Sequence, residues 1–241
     1  MTGTYLNLAT VAAGSLAGVL IGRRLPERIR ETVMHAISLV VIGLGAGMTL
    51  ESKEPVVFLL SLVLGGILGE TLHLEAGIER LGAAAERLLG PRDVDAPAGR
   101  FATGFVTASI LYCIGPLTLL GCLQDGLGQG FDILAVKSTL DGISSVTLAS
   151  IFGWGVGLST VTVLVVQGGL TLGAGVLSPA IGDAAVQREL FGAGGVMMIG
   201  LGIRMLEIKR IRVANLLPAL LLAPLLYRAG LALGWIALAS G

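Results

Sequence analysis

The chain has 241 residues, of which 54% are hydrophobic and 13% charged, and its mean hydropathy is +0.88. A composition this apolar excludes an ordinary soluble domain and fits a polytopic, all-α membrane protein. The formal net charge is zero, so nothing argues for a nucleic-acid partner. There are 37 glycines, about twice the usual share. Small residues let helices approach closely in lipid, which points to a tightly packed bundle. The two cysteines, Cys113 and Cys122, fall on opposite faces of a continuous helix and read as free thiols.

In chain order, Gly3 to Gly22 is the first apolar segment, followed at once by Arg23, Arg24, Arg28 and Arg30. A secretory signal carries its charge before the apolar run, so this is read as a retained first span. A short amphipathic piece from Pro26 to Thr32 leads into a second span at Met34 to Leu50. The polar connector Glu51-Ser52-Lys53-Glu54 and a third span from Pro55 to Leu72 follow. From Leu74 to Leu89, apolar residues alternate at helical spacing with Glu75, Glu79, Arg80, Glu86 and Arg87, the pattern of an interfacial amphipathic helix. A linker, PRDVDAPAG, closes this part.

Residues Phe101 to Gly155 hold two central segments of spanning length that carry groups a lipid-facing helix avoids. The first contains Ser109, the Gly115-Pro116 pair and, at its end, Gln124 and Asp125. Gly115-Pro116 either unwinds this span and exposes carbonyls or simply kinks it. The second contains Lys137, Ser138, Asp141, Ser144 and Ser145, which at 100° per residue share an arc of about 120°. If the helix enters the membrane near Asp132, Asp141 lies roughly 13 Å deep, near the midplane. An unpaired charge there costs about 2.5–3.5 kcal/mol. The arc must therefore face protein or water. A sixth span (Leu158 to Leu177), a seventh (Phe191 to Leu206) and a last one (Asn215 to Ala239, with Pro218, Pro224 and Arg228) complete about eight.

Eight spans place both termini on one side, and the basic residues say which. Arg23, Arg24, Arg28, Arg30, Arg80, Arg87, Arg92, Arg100, Arg204, Lys209, Arg210 and Arg212, twelve of the 16, fall in loops of one sidedness. Both termini are expected outside, opposite the basic cytoplasmic loops. A repeat lies beneath this order. Ala17-Gly18-Val19-Leu20 recurs as Ala174-Gly175-Val176-Leu177, and Ile42-Gly43-Leu44-Gly45 as Ile199-Gly200-Leu201-Gly202, at one shared offset. Spans 1–3 thus match spans 6–8 in inverted orientation. The expected organisation is a single transmembrane domain: first repeat 1–72, interfacial helix and linker 73–100, central polar helices 101–153, second repeat 156–241. Inverted repeats around an irregular centre are common in secondary transporters.

The stretches GTYLNLATVAAGSLAGVLIGRRLPERIRET, VLGGILGETLHLEAGIERLG, FVTASILYCIGPLTLLGCLQDGL, KSTLDGISSVTLAS and VANLLPALLLAPL resemble the bacterial YqgA/YdfK-type integral membrane protein family. The likeness covers nearly the whole chain. It implies a bacterial inner-membrane protein and suggests transport, and it supplies no substrate and no functional residues.

For the residues themselves, two readings compete. In one, Asp141 with Ser144 and Ser145 is a cation or proton site, since hard cations take oxygen ligands. In the other, Lys137 and Asp141 form an i,i+4 pair that only neutralises a buried face. Lys137, Asp125, Gln124, Ser109, Gly115 and Pro116 are the remaining candidates to line a pathway. Asn7, Gln167 and Asn215 read as interhelical glue, and Glu70 as a solvated end group. No Walker loop, nucleophile elbow, HExxH or paired CxxC is present, so neither an enzyme nor a cofactor or metal site is expected. The expected function is a secondary transporter or channel for a small ion or solute, with one repeat rocking against the other. The competing class is a non-transporting membrane sensor or assembly protein with a structural polar core. The expected partners are the small ion or solute and the lipid bilayer, and homo-oligomerisation is left open by the residues.

Overall fold

The computed structural model describes residues 1–22, 26–78, 80, 84, 100–113 and 116–234. Among them there is no strand. The helices are α1 (Thr2–Gly22), α2 (Glu27–Leu50), α3 (Pro55–Thr71), α4 (Arg100–Cys113), α5 (Pro116–Gly126), α6 (Asp132–Phe152), α7 (Trp154–Leu172), α8 (Ala174–Ile181), α9 (Ala184–Met205) and α10 (Ala219–Ala232). A 3-10 helix, Val213–Leu216, precedes α10. Pro26–Thr32 is no separate piece: α2 runs unbroken from Glu27. Helical backbone continues at 74–78, while most of the expected interfacial helix, the linker and Gly115 lie outside the described residues.

Among the described residues, four helical stretches are long and apolar enough to cross a membrane: Thr2–Gly22, Glu31–Leu50, Trp154–Leu172 and Val213–Ala232. A fifth is added if α4 and α5, bent by 61°, count as one span. The other expected spans miss these criteria for visible reasons. Helix α3 has 17 residues. Helix α6 carries Lys137, Asp141 and a run of serines, and α9 carries Arg188, Glu189 and Arg204.

The chain forms two compact units, each assembled from distant segments: Met1–Ile37 with Ala76–Val176, and Ser38–Glu75 with Leu177–Gly241. In the first unit, α1 and α6 run parallel in backbone contact. A Cβ added at Gly14, Gly18 or Gly22 would sit 2.3, 2.2 or 2.3 Å from the carbonyl oxygens of Gly142, Val146 and Ser150. Three glycines at four-residue spacing thus form a flat strip against which the α6 backbone lies, the small-residue packing that lipid-embedded helices use. Helix α7 runs antiparallel to α1, with Thr4 meeting Thr171 near one end and Ser15 against Gly157 toward the other. Gly153, at φ 74°, makes the reversal between α6 and α7. The α4–α5 pair runs against α6, with Gly104 on Phe152, Tyr112 on Ser145 and Gly121 on Leu134.

In the second unit, α2 and α9 pack antiparallel through glycine. A Cβ at Gly45 would meet Gly195 O at 2.6 Å, and one at Gly195 would meet Gly45 O at 2.4 Å. Helices α3 and α10 are likewise antiparallel, with Gly65 on Ala219, and Gly69 on Asn215 just before α10. Val57, Val186 and Tyr227 form a small apolar cluster. Polar side chains hold the unit's ends. Buried Glu189 accepts from Ser52 Oγ (2.6 Å), Lys53 N (3.0 Å) and Glu54 N (3.2 Å), which ties the α2–α3 connector to α9. At the opposite end Glu75 accepts from the Arg204 guanidinium and from Ala214 N (2.9 Å), and its own N–H donates to Asn215 Oδ1 (2.7 Å). Glu70 is exposed yet paired, receiving both Arg212 and Asn215 Nδ2 (2.5 Å).

Candidate functional site

The polar arc of α6 is buried within the first unit. Lys137 is 5% exposed and Asp141 8%. Lys137 Nζ donates to Asp141 Oδ2, an i,i+4 pair on one helix face. Asn7 Nδ2, from α1, donates to the same oxygen at 2.9 Å. The close α1–α6 backbone contact makes this reach possible, since Asn7 lies seven residues before the first glycine of the strip.

The serines divide. Ser145 Oγ donates to the Asp141 carbonyl oxygen at 2.7 Å and shares a 2.8 Å hydrogen bond with Tyr112 OH of α4. Tyr112 is fully buried, so this bond fixes α4 on α6 at the level of Asp141. Ser138 Oγ donates to Leu134 O at 2.6 Å. Ser144 is half-buried and lies off the Asp141–Ser145 line.

The remaining candidates lie elsewhere. Asp125, at the end of α5, accepts from the Met1 amino group (2.9 Å) and from Gly3 N (3.1 Å), so it fastens the start of α1. Gln124 Oε1 accepts from Ile133 N at 3.3 Å and supports the turn into α6. Ser109 Oγ donates to Thr162 Oγ1 of α7 at 2.9 Å. Pro116 begins α5 just after the bend, where its missing N–H costs the helix nothing.

Two residues expected to be glue stand out here. Asn7 Oδ1 is buried without a hydrogen-bond partner among the described residues, and so are both ends of the Gln167 amide and Ser15 Oγ. Flipping the Asn7 amide would aim its oxygen at the carboxylate, so its orientation follows from the Asp141 bond. In the second unit the buried side chains of Glu75, Gln187, Glu189 and Asn215 all have partners, and among the described residues there Arg188 Nε is unpartnered. A lone amide in an apolar span was the only signal Asn7 and Gln167 offered.

Two relatives match over almost their full length. One is the "Uncharacterized membrane protein YdfK" of Bacillus subtilis (strain 168), 31% identical over 228 residues, covering 93% of this chain and 94% of that protein. The other is the "Uncharacterized protein YqgA" of Escherichia coli (strain K12), 28% identical over 221 residues, covering 92% of this chain and 94% of that protein. No solved structure matches. The family described as "Protein of unknown function (DUF554)" matches residues 2–228, and the chain belongs to it.

Proposed function

We propose that this protein is a secondary transporter or channel for a small ion or solute, with its site in the first unit around Asp141, Lys137 and Asn7. One observation carries the reading. The buried Asp141–Lys137 pair shares its unit with three side chains that hold unpartnered polar atoms, Asn7, Ser15 and Gln167. A purely structural polar core is expected to be satisfied, because each orphaned buried group costs about 1–3 kcal/mol. Ionisable residues within membrane-spanning helices commonly mark substrate or ion pathways.

The membrane architecture we propose has eight spans, counting α4–α5 as one bent span and adding α3, α6 and α9 to the four apolar stretches. The end of the first unit that holds Met1 and Asp125 then faces outward. The end that holds Arg100 faces the cytoplasm of a bacterial inner membrane. An inverted repeat is supported by the α2–α9 packing. A shift of 157 residues carries Ser38, Ile42 and Gly45 onto Gly195, Ile199 and Gly202. Gly45 packs on Gly195 and Ile199, while Gly202 packs on Ser38 and Ile42, so the contacts exchange under the shift. The same shift carries α2 from 27–50 to 184–207, against the α9 bounds Ala184–Met205.

The test is thermal stability in detergent across a panel of ions, small anions and neutral solutes, for the native protein and Asp141→Asn. A ligand at a hundred times its dissociation constant stabilises the folded state by about 2.7 kcal/mol. One solute that stabilises the native protein and not the variant is the expected result. A panel in which nothing stabilises the native protein overturns the reading.

A further inference from the structure

The unpartnered amides of the first unit share one seam. Helices α1 and α7 are antiparallel, and Thr4 Oγ1 meets Thr171 Oγ1 at 3.3 Å. Moving one turn inward from that pair reaches Asn7 on α1 and Gln167 on α7, both 0% exposed. The next level inward is apolar and fully buried, with Val11 on α1 and Val163 on α7. Asn7 and Gln167 therefore make one polar level, bounded by the threonine pair on one side and the valines on the other.

What this level lacks is specific. Asn7 Oδ1 has no donor, and Gln167 has neither a donor at Oε1 nor an acceptor at Nε2 among the described residues. The Asn7 amide is held in this orientation because its Nδ2 is committed to Asp141 Oδ2. The open groups are neutral, and so are their surroundings. Among the described residues, the charged side chains buried in this unit are Lys137 and Asp141, which neutralise one another. An ion of either sign added here would stand uncompensated in a low-dielectric interior, which is strongly unfavourable. A ligand that fills this level is therefore uncharged.

Hydrogen-bond geometry narrows the class. The carbonyl and amino groups of a carboxamide lie side by side in one plane, so a second carboxamide can pair with it through two parallel hydrogen bonds. The ligand carbonyl then accepts from Gln167 Nε2, and the ligand N–H beside it donates to Gln167 Oε1. A primary amide or a urea carries a further N–H, which suits Asn7 Oδ1. A single hydroxyl has one proton and cannot give it to both oxygens, and a tertiary amide has none to give.

We propose that Asn7 and Gln167 bind a small uncharged primary amide or urea, with Asp141 as the group that positions Asn7. This rests on the reading of the first unit as a ligand site and names its substrate class. The Lys137–Asp141 pair stays intact throughout. Entry requires α1 and α7 to part at the Thr4–Thr171 contact, which at 3.3 Å is long for a hydroxyl pair. The ligand gives up its hydrogen bonds to water and meets three groups that have no partner in the protein, so binding satisfies both sides.

The experiment uses the full chain, in detergent for thermal shift and in proteoliposomes for uptake of radiolabelled acetamide. Acetamide and urea, the latter far below denaturing concentrations, are set against glycerol, N,N-dimethylacetamide, sodium chloride and potassium chloride. Acetamide and urea are expected to stabilise the native protein saturably, and acetamide to enter proteoliposomes faster than protein-free vesicles. N,N-Dimethylacetamide keeps the carbonyl, loses both N–H donors and should not stabilise. This comparison is made on the native protein and decides the point even where a variant does not fold. Gln167→Leu removes the open donor and acceptor at nearly constant volume. It should fold at least as stably without ligand, yet bind acetamide about tenfold more weakly. Asp141→Asn should also bind weakly, since a carboxamide at 141 can donate or accept and no longer fixes the Asn7 amide.

Equal stabilisation by acetamide and N,N-dimethylacetamide, or native-like acetamide binding by Gln167→Leu, overturns the assignment. So does a panel in which glycerol alone stabilises the protein. If an ion stabilises the native protein and not Asp141→Asn while the amides do nothing, the amide class fails and the ligand site stands. If nothing stabilises the native protein, both fail.

Discussion

Asn7 Nδ2 donates to Asp141 Oδ2 at 2.9 Å, which turns the Asn7 carbonyl oxygen away from the carboxylate into a buried position with no described partner. The same Asp141 oxygen receives Lys137, so one carboxylate oxygen ties α1 to α6 and neutralises a charge. Asp141→Asn or Lys137→Met alone leaves an uncompensated buried charge or its unfilled partner and is expected to cost about 3–5 kcal/mol. The double variant should be closer to the native protein than either single one. Thermal unfolding of all four proteins in one detergent closes the cycle, and additive losses would show that the two side chains do not act as a pair.

The glycine strip of α1 predicts a position-specific effect. Gly18→Ala would place a methyl 2.2 Å from Val146 O, a backbone atom that cannot swing aside. A loss of at least about 1–3 kcal/mol is expected from this overpacking. Gly43→Ala, where nothing lies within 4 Å, should be neutral or should gain up to about 1 kcal/mol from helix propensity. Melting temperatures of the two variants decide it.

Glu189 organises the α2–α3 connector with one hydroxyl and two backbone donors. Glu189→Ala should cost about 1.5–3 kcal/mol, the scale of a hydrogen bond to a charged group. The diagnostic readout is local: hydrogen exchange at the Lys53 and Glu54 amides should rise more than exchange in α9. Uniform acceleration across the chain would point to global destabilisation instead.

The two arginine–glutamate pairs of the second unit should differ sharply. In Arg204–Glu75 the side chains are 12% and 6% exposed, whereas in Arg212–Glu70 they are 63% and 55% exposed. Arg212→Ala is expected to cost less than about 1 kcal/mol, because water and salt screen the pair. Arg204→Ala strands Glu75 and should cost several-fold more. Equal effects in chemical or thermal unfolding would contradict the burial difference.

Much of this was legible along the chain, because the properties concerned are local. A high apolar fraction and 37 glycines mark a membrane bundle by composition. The placement of Lys137, Asp141 and Ser145 on one buried face follows from helical periodicity alone, since side chains four apart stack on the same face. Pro116 marks the start of a new helix, a position proline favours, and α4 and α5 are bent by 61° to one another.

What only the tertiary structure decided is which distant residues complete each local pattern. Asn7 and Gln167 looked like any single amide in an apolar span. They became site candidates because the α1 glycines let α6 approach and the antiparallel α7 sets Gln167 at the level of Asn7. Glu75 read as a polar position of an interfacial helix and Glu70 as a solvated end group, and both proved to be paired because arginine, asparagine and backbone groups from other segments fold onto them. Composition and periodicity constrain which faces must be buried. The partner of a buried group is set by helix packing, which depends on close backbone approach between segments more than a hundred residues apart.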